Sequence, residues 1–74
     1  MKTVAELSPK QIHRLLLLAK LGVPLQFKCV KEYFVENPKW YAFPQHNAIE
    51  WLSNKTRRPN AHKYYIRRTP RAEL

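Results

Sequence analysis

The sequence predicts a small α+β domain, and three observations lead to that fold class. The chain has 74 residues, of which 45% are hydrophobic and 12% aromatic, which suits one compact core. Residues 8–22 combine a helix start signal, helical apolar spacing and a stop signal. Aromatic segments near the middle and the C-terminus have the composition of short strands. We expect about three helices with short strands and a basic C-terminal arm. Residues 1–54 would form the compact core, and residues 55–74 a basic strand or arm of the same domain.

The first helix is the best defined element. Ser8 is a good N-cap, and Pro9 suits the first helical position because its missing N–H costs no hydrogen bond there. The helix is predicted to run through about Leu21, and Gly22 provides a C-terminal stop. The apolar stripe that would face the core comprises Ile12, Leu15, Leu16 and Ala19.

The opposite side of this helix mixes leucines with basic residues. The candidate docking residues on this side are Lys10, His13, Arg14, Leu17 and Leu21. Another element of the fold could cover the two leucines, and this is the interpretation that we favour from the sequence. Alternatively, the leucines form an apolar contact ringed by positive charge, as partner-binding sites often do.

The segment from Leu25 to Val35 has two possible periodicities. Alternating apolar residues at positions 25, 27 and 29 indicate a strand, whereas those at 27, 30 and 34 repeat as in a helix. Asn37-Pro38 then predicts a turn, because the residue before a proline disfavours helical geometry. We expect a helix that begins at about residue 27.

A strand and a third helix are expected next. Lys39–Phe43 is an aromatic strand candidate. A helix then opens at Pro44 or Asn47 and continues through about Asn54. Its predicted inward residues are Ala48, Ile49 and Leu52, with Trp51 at the boundary.

Positive charge is concentrated in the C-terminal quarter. Seven of the 14 basic residues and none of the five acidic ones lie between Lys55 and Arg71, in a chain of net charge +9. His62–Arg68 is expected to be a strand that pairs with residues 39–43. Arginine matches phosphate oxygens bidentately, and tyrosines can stack on unpaired bases, although packing of the tyrosines into the domain is the interpretation we favour. The candidate residues for binding nucleic acid or an acidic partner are Arg57, Arg58, Lys63, Tyr64, Tyr65, Arg67, Arg68 and Arg71.

The composition argues against catalysis and against a metal centre. There is no aspartate, the five glutamates are dispersed, and one glycine cannot form a phosphate-binding loop. The three histidines and Cys29 lack the close pairing of zinc ligands, so no cofactor is expected. A single cysteine and no apolar signal segment indicate a cytoplasmic protein without membrane contact. The sequence therefore predicts a binding protein and not an enzyme.

Residues 40–52, which read WYAFPQHNAIEWL, resemble part of a known DNA-binding fold. They are similar to the wing strand and following helix of excisionase-type and MerR-like winged-helix domains. In those domains an aromatic strand leads through a proline into a helix. This resemblance implies a winged-helix DNA-binding protein.

The whole chain, short, strongly basic, aromatic and without enzymatic motifs, resembles the small phage-encoded regulators of host RNA polymerase. That resemblance implies binding to bacterial RNA polymerase in the host cytoplasm, inhibition of initiation and antitermination. The basic segment would lie near RNA or an acidic polymerase surface. Transcription regulation through RNA polymerase is the first hypothesis, the winged-helix protein is the second, and a ribosome-associated or RNA-binding accessory protein is the third. The oligomeric state is left open by the sequence.

Overall fold

The structure is a computed structural model and describes residues 1–30, 38–54 and 60–74. Within these ranges a three-stranded antiparallel sheet packs against two α-helices, which confirms the predicted α+β class. The helices are α1 (Pro9–Lys20) and α2 (Gln45–Ser53), and the strands are β1 (Leu25–Cys29), β2 (Tyr41–Phe43) and β3 (Tyr64–Arg68). Single 3-10 turns occupy Val4–Glu6, Ala61–Lys63 and Arg71–Glu73. None of the described helices is long and apolar enough to cross a membrane.

Helix α1 begins and ends where the sequence predicts. The Ser8 hydroxyl accepts a hydrogen bond from the Gln11 N–H at 3.2 Å, and the Gln11 side chain accepts one from the Ser8 N–H at 2.8 Å. This reciprocal capping satisfies two backbone donors that the helix itself leaves free. After the helix, Gly22 has φ of 82°, a left-handed conformation that favours glycine.

The N-terminal turn has its own carboxylate cap. The Glu6 carboxylate accepts hydrogen bonds from the backbone N–H and the hydroxyl of Thr3, at 3.0 and 2.9 Å. These bonds, with the backbone one contributing most, lower the pKa of Glu6 below its ordinary value. The turn that they close buries the side chain of Val4 in the core.

The sheet corrects two sequence-based expectations. Leu25–Cys29 forms a strand, so the expected helix is wrong for this segment, and the rest of that helix, 31–35, lies outside the described residues. β3 pairs with β1 rather than with β2, because β1 is the central strand and β2 occupies the other edge. The described residues therefore contain two α-helices instead of three. The two-residue periodicity, not the helical one, determines the structure of β1.

The core lies between the helices and one face of the sheet, here called the inner face. Leu25 from the sheet, Ile12 and Ala19 from α1, and Ala48 and Leu52 from α2 are buried together. The neighbouring strands add Phe43 and Ile66 to the same face, opposite Leu25 and Phe27 respectively. Each helix thus contributes an apolar stripe to a two-layer domain.

Leu17 and Leu21 are exposed, so no element among the described residues covers them, contrary to the interpretation favoured from the sequence. Their exposed fractions are 46% and 78%. Ile12, on the same helix, is buried at 7% exposure because it belongs to the core cluster. Helix α1 therefore presents apolar side chains on both its packed side and its solvent side.

We expect Ile12→Ala to lower the free energy of unfolding by about 2–5 kcal/mol, because it leaves a cavity in the core. Leu17→Ala is the matched control on the same helix and should change it by no more than about 0.5 kcal/mol. Urea denaturation of both variants, followed by circular dichroism, measures the difference. Equal losses of stability would contradict this description of α1.

Candidate nucleic-acid interface

Alternation along β3 separates its side chains between two surfaces. Tyr64 and Ile66 lie on the inner face with the core. Tyr65 and Arg67 lie on the opposite face of the sheet, here called the outer face. The two adjacent tyrosines of the basic segment therefore belong to different surfaces.

A row of three side chains crosses the outer face. Lys28 of β1 is paired with Tyr65 of β3. On the other side, the register pairs Phe27 with Tyr41, and extending it by one residue places Trp40 opposite Lys28. The Lys28 Nζ lies 4.9 Å from the centroid of the Trp40 ring and 5.7 Å from that of Tyr65. The ammonium group is thus within cation–π distance of both rings.

Arg67 adds a second cation to the same tryptophan. Its Cζ lies 4.0 Å from the centroid of the Trp40 ring. Its Nε donates a hydrogen bond to the Gln26 side-chain oxygen at 2.8 Å, and Gln26 is only 8% exposed. Gln26 is paired with Arg67 on one side and with Ala42 on the other, and Ala42 lies on the same strand face as Trp40. The buried amide therefore fixes the direction of the arginine side chain.

One carboxylate is bound at the edge of this arrangement. Glu73, in the C-terminal turn, accepts hydrogen bonds from the Gln26 amide at 3.2 Å and from Arg67 Nη2 at 3.1 Å. The side chain of Glu73 is 48% exposed, so this ion pair is partly solvated. It occupies part of the arginine fork that would otherwise be available to an external anion.

We call the set Lys28, Trp40, Tyr65 and Arg67 the cation–aromatic face. All four side chains are partly exposed. Within the described part of the chain, Lys28 forms no ion pair, and Arg67 is paired with Glu73 alone. The face therefore combines two flat rings with positive charge that one carboxylate only partly neutralises.

The other predicted binding residues are not part of this face, and the pairing of Arg68 with Leu25 places Arg68 on the inner face. Lys63 belongs to the turn before β3, Arg68 is exposed at the end of the strand, and Arg71 is exposed in the C-terminal turn. Arg57 and Arg58 lie outside the described residues.

Tyr64 has a packing environment on the inner face. Its ring makes edge-on contacts with Phe27 and Trp51, at centroid distances of 6.0 and 6.4 Å. It also lines an apolar cavity of about 220 Å³ there. The packing interpretation of the tyrosines therefore describes Tyr64, whereas Tyr65 contributes to the cation–aromatic face.

The predicted docking residues form a separate surface, the α1 patch. Its members are all exposed on one side of the helix: Lys10, His13, Arg14, Leu17 and Leu21. Helix α1 packs on the inner face of the sheet. The α1 patch and the cation–aromatic face therefore lie on opposite sides of the molecule.

Sequence reasoning missed four residues of the site: Gln26, Lys28, Trp40 and Glu73. The alternation at positions 25, 27 and 29 is the signal that could have found Lys28 and Gln26, since in a strand the intervening residues share the other face. Trp40 belongs to the predicted aromatic strand, but its partners come from β1 and β3. Nothing in the local sequence connects Glu73 to Gln26, 47 positions away.

The described residues contain no group of three or more histidine, cysteine or acidic side chains that could hold a metal ion. Comparison with known proteins gives no matching family model, no matching curated protein and no matching solved structure.

Glu73→Gln should strengthen the binding of a single-stranded oligonucleotide by up to about fivefold, because an exposed ion pair worth at most about 1 kcal/mol no longer competes for Arg67. Fluorescence anisotropy at low salt measures the affinity. Glu50→Gln is the matched control, since it removes the same charge from α2. Equal gains in both variants would show that net charge alone, and not the release of Arg67, sets the affinity.

Proposed function

We propose that this protein is a nucleic-acid-binding regulator, not an enzyme, and that β3 and the cation–aromatic face contact the phosphate backbone. The observation that supports the proposal most directly is the oriented guanidinium of Arg67, held by Gln26 and lying 4.0 Å from Trp40. A side chain that is already oriented loses less conformational freedom when it binds a ligand. The net charge of +9 adds long-range attraction for a polyanion.

The charges near Arg67 favour an anionic ligand with several charges. Lys28 lies beside the same tryptophan and, among the described residues, has no carboxylate partner. Arg68 is also exposed, but it is paired with Leu25 and so lies at the end of β3 on the inner face. Successive phosphates of a nucleic acid can neutralise such neighbouring cations and release counterions, which makes the binding depend on salt.

The double variant Arg67→Ala, Arg68→Ala should weaken oligonucleotide binding and make its salt dependence shallower. The slope of log K against log salt falls by roughly 0.7–0.9 for each phosphate that the protein no longer neutralises. Anisotropy titrations at several salt concentrations measure this slope, and thermal melts check that the variant is folded.

The charge-matched control for this variant is Lys10→Ala, Arg14→Ala, which removes two cations from α1 on the other side of the molecule. Its salt slope should stay close to that of the unaltered protein. If both double variants lower the slope equally, binding is a diffuse effect of net charge and β3 is not the interface.

A second candidate function is regulation of transcription through bacterial RNA polymerase, affecting initiation or termination. Its support is the exposure of Leu17 and Leu21 among the cations of the α1 patch, since apolar anchors with a charged rim are typical of protein interfaces. The patch lies opposite the cation–aromatic face. A single small domain could therefore contact the polymerase with one layer and nucleic acid with the other.

Leu17→Ala with Leu21→Ala should abolish capture of RNA polymerase from nuclease-treated bacterial lysate while the protein remains folded. The reason is that both side chains are exposed and would contribute mainly to the interface. Arg67→Ala, Arg68→Ala is the control and should retain the nuclease-resistant capture. Polymerase docking through α1 would be contradicted if the double leucine variant still captured the polymerase. It would also be contradicted if the unaltered protein captured none.

The winged-helix hypothesis also stays a proposal. The order β2, Pro44, α2 agrees with the strand–proline–helix succession on which that resemblance is based. A winged-helix protein would bind duplex DNA in preference to single strands. Competition between duplex and single-stranded oligonucleotides of the same sequence tests it, and tighter binding of the single strand would contradict the winged-helix hypothesis.

A further inference from the structure

We infer that the cation–aromatic face is a binding site for unpaired bases, with Trp40 and Tyr65 as the stacking residues. The inference rests on the proposed nucleic-acid binding and names its ligand as single-stranded RNA or DNA. Every nucleotide presents a flat aromatic base and an anionic phosphate. The face presents the complementary pair of features, two rings and two cations, on one side of the sheet.

The arrangement across the strands suits a chain of nucleotides better than a single one. Trp40 and Tyr65 flank the central strand, so they are separated by two strand spacings, about 10 Å. Lys28 lies between them, within cation–π distance of both rings. Two bases stacked on the two rings would therefore have a cation between them, near the phosphate that joins them.

The charges on this face also favour an anion. Two cations, Lys28 and Arg67, lie within 5 Å of the same ring centroid, so their charges are no more than about 9 Å apart and repel each other. Glu73 compensates Arg67, but within the described residues no carboxylate compensates Lys28. An incoming phosphate would remove this imbalance, which an aromatic ligand without charge would not do.

The site should select single strands over duplexes. Bases within a duplex are stacked on one another, and their faces are accessible only after costly unstacking. Single-stranded nucleic acid exposes those faces, and aromatic stacking is then tolerant of sequence. The predicted preference is therefore for an unpaired strand with little dependence on its sequence.

Fluorescence of Trp40 gives a direct test. The chain has two tryptophans, and Trp51→Phe leaves Trp40 as the only one while retaining an aromatic ring against Phe43 and Tyr64. A single-stranded oligonucleotide should quench the emission. Inorganic polyphosphate and an abasic oligonucleotide should bind without comparable quenching, because they lack bases.

Affinity measurements on aromatic variants complete the test. These variants keep Trp51, so the result does not depend on the Trp51→Phe substitution. Trp40→Leu and Tyr65→Leu should each lower affinity for the single strand by roughly fivefold to a hundredfold, while binding of polyphosphate stays within about twofold. Tyr41→Leu is the matched control, because Tyr41 is 56% exposed but lies on the inner face with Phe27. It should leave both affinities unchanged.

The outcomes separate this inference from the function on which it rests. Unchanged affinity in Trp40→Leu and Tyr65→Leu, together with intact binding of polyphosphate and oligonucleotide, overturns base stacking but keeps nucleic-acid binding. Failure of the unaltered protein to bind any of these polyanions overturns both. Tighter binding of the duplex overturns the preference for single strands. Binding of poly-glutamate as tight as that of the oligonucleotide would assign the face to acidic protein surfaces.

Discussion

The alternation of side chains along β1 is the constraint on which the rest of the structure depends. β1 is the central strand, and its residues Leu25, Gln26 and Phe27 are paired with a neighbouring strand on both sides. Leu25 and Phe27 point to the helices, and Gln26 and Lys28 point to the outer face. A shift of one residue in its pairing would move the lysine into the core and the leucine into solvent. The burial of Leu25 therefore fixes the position of Lys28 as well, and the core and the candidate site share one register.

Trp40 links the two edges of the outer face through cation–π contacts. These contacts do not need a second apolar layer over the sheet. Arg67 reaches it across the central strand, and Lys28 reaches it from that strand. Cation–π contacts of this kind contribute about 0.5–1 kcal/mol each at exposed sites. They stabilise the sheet on a face that the described helices do not cover, and they keep charged groups near solvent. The same contacts that stabilise the fold thus hold the two rings and the two cations together on the face for which we propose nucleotide binding.

The sequence predicts those parts of the fold that depend on neighbouring residues better than those that depend on residues distant along the chain. Ser8, Pro9 and Gly22 act on their immediate neighbours, and they predict the limits of α1 correctly. The strand at Tyr41 and the helix after Pro44 are also local features. The helix predicted in place of β1 is wrong because Phe27 fits both periodicities, and the two strand partners of β1 lie far away in the sequence. The candidate site depends on the same distant pairing, so local patterns identify Tyr65 and Arg67 but not Lys28 or Gln26.

The small size of the chain explains why the described elements leave the α1 patch and the cation–aromatic face uncovered. A domain of this length buries a smaller share of its surface than a larger one, and a sheet with helices on one side leaves its other side without a second layer. In many proteins such a face is simply polar. Here it carries Trp40 and Tyr65, large rings whose exposure is unfavourable in water unless cations or a ligand cover them. Lys28 and Arg67 cover them in part, and their positive charge is the reason why we propose an anionic aromatic ligand for this face rather than an apolar protein surface.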